Sequence, residues 1–139
     1  MSKSEYRRKK IWLTTDKKKY CTVLLFNNRK DMRAYYSLYC NLRSMDYDSN
    51  ILGASLHHEI YCGIKVKNDT GKVLLSLQDC GAGVVSHELL HAVLWAYKHK
   101  RAKKQYPIVI KNMDEEEKIL QNHTYAVKQF YNWYWKVVK

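Results

Sequence analysis

Residues 84–97, VVSHELLHAVLWAY, constrain this chain more than any other stretch, because apolar side chains occupy nearly every side of a helical wheel drawn through them. A helix that is hydrophobic all round belongs in a protein core. Three polar residues interrupt it: His87, Glu88 and His91. Burying a polar group without a partner costs about 1–3 kcal/mol, and an isolated charge costs more. The window therefore predicts a partner for these three, and a bound metal ion would supply one.

The spacing H-E-x-x-H suits that role on a helix, where positions i and i+4 project from one face and two imidazoles can grip one ion. Glu88 lies about 100° round the wheel from His87, placed to take a proton from a water that zinc activates by lowering its pKa toward about 7. Catalytic zinc takes three protein ligands, so a third must come from elsewhere. The final helix offers candidates. Its apolar stripe is Ile119, Leu120, Val127, Phe130, Tyr134 and Val138, and Glu116 and His123 fall near the middle of it. Glu116 is the first choice and Glu117 the next, since helix starts shift by a residue or more. His123 reads as a partner behind the ligands, as the third ligand itself, or as a hydrogen-bonded core histidine.

Other reactive side chains read as structural. In a strand, His57 and Glu59 share one face and His58 takes the other, which gives an ordinary strand surface and no local chelate. Cys80 precedes the motif helix, whose N-terminus would lower its thiol pKa, but it has no fixed His or Asp partner and reads as a packing cysteine.

At 139 residues the chain is expected to form one domain over 1–139. Its 46% hydrophobic content, with twelve tyrosines and four tryptophans, argues against disorder. Stretches 9–16 and 20–28 read as strands around a charged turn at 16–19. Residues 28–45 read as a helix that Asn28 or Asp31 caps, with Met32, Tyr35, Tyr36, Tyr39 and Leu42 on one side. Residues 55–79 predict a β-hairpin with its turn at 68–71 and its second strand at 73–77. The motif helix, a basic loop and a long helix from Asp114 to about Val138 follow. The order β, β, α, β, β, α, α implies an α+β domain, a mixed sheet with the hairpin packed on the motif helix and the helices on one face.

A formal charge of +12 implies attraction to polyanions such as nucleic acid or a nucleoprotein. The basic residues are spread over 7–10, 17–19, 65–67 and 98–104, and no recognition motif of the common nucleic-acid folds is present. Cys21, Cys40, Cys62 and Cys80 form no C-x-x-C pair, MSKSEYRRKK precedes no apolar run of signal-peptide length, and no apolar stretch approaches about 20 residues. Reduced thiols, a cytoplasmic protein and no membrane partner are the corresponding expectations.

The succession of hairpin strand, VVSHELLHAVLWAY, variable loop and acidic-start helix DEEEKILQNHTYAV resembles the small zincin-like metallopeptidases encoded in phage genomes, over roughly residues 72–130. The resemblance implies Zn2+ on His87 and His91, Glu88 as general base and an acidic third ligand on the following helix. The chain departs from the family in its strong basicity and in offering several acidic candidates where one would identify the ligand. Two functions are thus expected as alternatives. In one the protein is a zinc metallopeptidase whose exposed hairpin strand aligns a peptide or protein substrate. In the other it is a basic binding protein or inhibitor that engages nucleic acid or a nucleoprotein, with zinc structural or absent.

Overall fold

The apolar runs VLLF at 23–26 and VLLS at 73–76 lie side by side as the middle of a four-stranded sheet. The computed structural model describes residues 6–44, 49–57, 61–62, 65–66, 68–98 and 113–138, with backbone alone at 61–62, 65–66 and 98. Its elements are β1 (Tyr6–Trp12), β2 (Tyr20–Phe26), α1 (Arg29–Leu42), β3 (Gly53–His57), β4 (Tyr61–Cys62), β5 (Lys65–Val66), β6 (Asp69–Ser76), α2 (Ala82–Lys98) and α3 (Met113–Val137). A single 3-10 turn, Leu77–Asp79, links β6 to α2. The strand order is β1-β2-β6-β3, with β2 and β6 parallel and the outer strands antiparallel to them. The fold is α+β with a mixed sheet.

Central strands buried on both faces read as continuous apolar runs rather than as alternation. Val23, Leu25, Val73 and Leu75 pack with α2 and α3, whereas Leu24, Phe26 and Leu74 pack with α1 on the opposite side. Helices therefore cover both faces, not one as expected from the element order. Asn28 caps α1, its Oδ1 accepting from the Asp31 N–H at 2.8 Å.

The turn expected at 68–71 is not a turn. Asp69 already begins β6, and Gly71 sits inside that strand at φ 138°, paired with His57. A Cβ there would collide with the Leu56 carbonyl oxygen, so the glycine marks close approach of two strands. The chain between β3 and β6 instead carries the short β4–β5 pair. The antiparallel β3 and β6 do pack on α2 as anticipated.

The buried face of α3 is also rotated from expectation. It carries Ile119, Asn122, Ala126 and Phe130, while Leu120 and Val138 are 48% and 39% exposed. The cause is the open edge of β1, whose backbone groups need partners. Gln129 meets Trp12 as a strand would, its Oε1 accepting from the Trp12 N–H and its Nε2 donating to the Trp12 carbonyl, both at 2.8 Å. Asn122 Oδ1 accepts from the Thr15 N–H. Within the charged turn, Lys19 is buried and donates to the Ala96 carbonyl near the end of α2, where a cation also suits the helix dipole.

Candidate metal centre

Helix α2 is held at its start through the turn that precedes it. Arg29 grips Asp79 with two bonds of 2.7 Å, and the Arg29 N–H donates to Gln78 Oε1. The Arg29 guanidinium holds the Asp79 carboxyl below the usual carboxylate range, chiefly by hydrogen bonding. Beyond Cys80, four sides of α2 meet four surroundings. Val85, Leu89, Ala92, Val93 and Ala96 enter the core, Ser86 meets α3, and Val84, Glu88 and Trp95 face β3. His87 and His91 take the remaining side and are exposed.

That exposure corrects the expectation of buried imidazoles. The helical wheel counts apolar residues without saying which of them neighbours cover, and Leu90, Leu94 and Trp95 are only partly buried. The two histidines need no partner to offset burial, so the case for a metal rests on geometry instead. Their Nε2 atoms stand 3.1 Å apart, with the rings at 83°. Two nitrogens bound at about 2.0–2.1 Å to one ion at a tetrahedral angle stand about 3.3 Å apart. The donor pair therefore fits zinc, although an N–H···N bond between neutral rings brings the atoms equally close.

Glu88 is half-buried beside this pair. Alternation along β3 turns Gly53, Ser55 and His57 toward α2 and Ala54 and Leu56 toward α1. The Ser55 hydroxyl lies 2.7 Å from the Glu88 carbonyl and 3.1 Å from Glu88 Oε1, and its single proton serves both. A Cβ on Gly53 would come within 3.0 Å of Glu88 Cγ and 3.2 Å of Val84 Cγ1, so the absence of a side chain leaves room for the carboxylate. A cleft of about 290 Å³ opens here, lined by Ile51, Leu52, Gly53, Val84, His87 and Glu88 among others. Neither Ser55 nor Gly53 carries a motif. Only the register of β3 against α2 brings them to Glu88.

Helix α3 carries the candidate third ligands. Glu116 and Glu117 are exposed on its first turns, and no cluster of three or more His, Cys, Asp or Glu side chains with metal-binding geometry occurs among the described residues. His123 Nε2 lies 3.0 Å from the Ser86 carbonyl and 3.3 Å from Ser86 Oγ. Donating to that carbonyl, it ties α3 to α2.

His57 stacks on Trp95 at 5.0 Å and 7°, more engaged than an ordinary strand surface, and His58 and Glu59 lie outside the described residues. The Cys80 thiol is pushed up to about 12 by burial and by Asp79, opposite to the lowering that the helix N-terminus suggested. It donates to the Ser76 carbonyl at 3.1 Å and acts as a packing group. Cys21, Cys40 and Cys80 are free thiols. No helix among the described residues is long and apolar enough to cross a membrane. Compared with known proteins, the chain matches no family profile, no curated sequence and no solved structure.

Proposed function

We propose that this protein is a zinc-dependent, metallopeptidase-like hydrolase of peptide bonds. The observation that carries the reading is the pair of Nε2 atoms, 3.1 Å apart on the exposed side of α2 with the Glu88 carboxylate one position away. His87 and His91 would hold the ion, with Glu116 as the favoured third ligand, Glu117 next and His123 disfavoured by its bond to Ser86. Zinc, when bound, lowers the pKa of water and polarises a carbonyl.

The chain's own groups have separate tasks. Glu88 accepts the proton of the attacking water and returns it to the leaving amine, while the Ser55 hydroxyl fixes its carboxylate. Among the described strands β3 ends the sheet next to Glu88, and its outer edge is suited to an extended peptide added as a further strand. Metal content is the direct test. Protein purified without chelator is expected to carry near-stoichiometric zinc that His87→Ala loses, and negligible metal in both would overturn the assignment. The alternative, a basic protein that binds nucleic acid or a nucleoprotein, is supported by the charge of +12, and residues 99–104 of its basic loop lie outside the described residues.

A further inference from the structure

Every cation–ring contact among the described residues lies on the α1 side of the sheet. Arg8 stands over Tyr6 at 5.6 Å, and Lys10 over Trp12 and Tyr20 at 4.5 and 4.2 Å. Lys72 stands over Tyr35 at 5.6 Å and donates to its hydroxyl at 2.9 Å, and Arg43 covers Tyr39 at 3.9 Å. Among the described residues, no carboxylate lies within 4 Å of any of these four cations. Arg8, Lys10 and Arg43 are exposed.

The sheet register orders these groups. Lys10 pairs with Thr22, and Thr22 with Lys72, so the two lysines stand in one row, two strand spacings or about 10 Å apart. Trp12 and Tyr20 form the neighbouring row. Beyond Lys72, a cavity of about 270 Å³ opens between α1 and β3, lined by Tyr35, Tyr39, Leu56, Lys72 and Arg43 and bordered by the exposed Leu38 and Leu42.

We propose that this face binds single-stranded nucleic acid. Phosphates run along Lys10, Lys72 and Arg43, and one base enters the cavity between Tyr35, Tyr39 and Leu56. A row of cations with no acidic partner among the described residues matches a polyanion, and each cation stands beside a ring. That alternation of charge and flat apolar surface is the alternation of phosphate and base in a single strand, whereas a duplex keeps its base faces stacked inside. An exposed cation–ring contact is weak, so the Lys10 ammonium can turn to a phosphate and leave Trp12 and Tyr20 open to a base. An acidic peptide offers charge without a flat ring at each step.

Fluorescence anisotropy tests the site on the full chain with EDTA present, so the outcome is independent of any zinc. The probes are labelled oligo-dT and oligo-U of about 12 nucleotides, measured between about 50 and 200 mM salt. The wild type is expected to bind, and tighter binding of oligo-U would mark RNA as the natural strand. Lys10→Gln with Lys72→Met and Arg43→Gln should weaken binding and flatten the salt slope by about 2, at about 0.7 for each phosphate no longer neutralised. Tyr39→Leu should weaken binding by about tenfold with the slope unchanged. Lys128→Gln with Lys136→Gln, exposed on α3, should behave as wild type. Circular dichroism checks that each variant folds. If the triple variant does not, the exposed pair Lys10→Gln and Arg43→Gln takes its place, with a slope change of about 1.4. Wild-type affinity in the charge variant, or equal affinity for a polyglutamate peptide or a duplex of the same length, would overturn the proposal. So would absence of binding at the lower salt.

Discussion

His87 and His91 face each other across one turn of α2 with their Nε2 atoms 3.1 Å apart, in solvent rather than in the core. A shared ion and a shared proton bring the rings equally close, and metal analysis separates them. With an ion, His91→Ala should lose zinc as completely as His87→Ala, because two ligands from one helix act as a chelate. Retention of full zinc by either variant would remove that residue from the site.

The third ligand is read from a series on α3. Glu116→Ala should weaken zinc retention far more than Glu115→Ala or Glu117→Ala, and loss confined to Glu117→Ala would move the ligand by one residue. His123→Ala has a different expected signature. It removes the bond to the Ser86 carbonyl, so thermal unfolding should show a loss of about 1–2 kcal/mol. Zinc loss in folded His123→Ala, with both glutamate variants loaded normally, would make the site all-histidine.

Glu88→Gln keeps the shape of the side chain and removes its proton-accepting oxygen. Zinc content and folding should persist while peptide hydrolysis falls by about 10²–10⁴-fold. Ser55→Ala should lower kcat by less, since it frees the carboxylate without removing it. Undiminished turnover in Glu88→Gln would refute its role as the base.

The contact between Arg29 and Asp79 predicts a pH dependence of stability. Because the folded-state pKa of Asp79 is depressed, its contribution is fully present above the ordinary aspartate value of about 3.9 and fades as pH falls through the lower, folded value. Asp79→Asn should therefore be less stable than wild type at neutral pH, and the two denaturation curves should converge below about pH 4. A difference that persists unchanged into stronger acid would show that the ion pair is not its source.

The four strands of the main sheet in outline, the helices and the H-E-x-x-H spacing were legible in the sequence, whereas the β4–β5 pair was not, because the former rest on short-range patterns: apolar runs, the three-and-four spacing of α1, Asn28 before its helix, and acidic residues opening α3. The failures share one physical origin. Local patterns count apolar residues but do not say what covers them, so the exposure of His87 and His91 waited on the placement of β3 and α3 around α2. Likewise, hydrogen-bonding demand at the edge of β1 drew Gln129 and Asn122 inward and turned Leu120 out. Gly71 looked like a turn because glycine permits one, and the close approach of Leu56 made it a strand residue. The sequence alone determined which helix carries the two imidazoles and the carboxylate, since 3.6 residues per turn places i and i+4 together in any helix. Tertiary structure alone decided that Ser55 holds Glu88 and that His123 meets Ser86, because contacts 33 and 37 residues apart depend on how strand and helices pack.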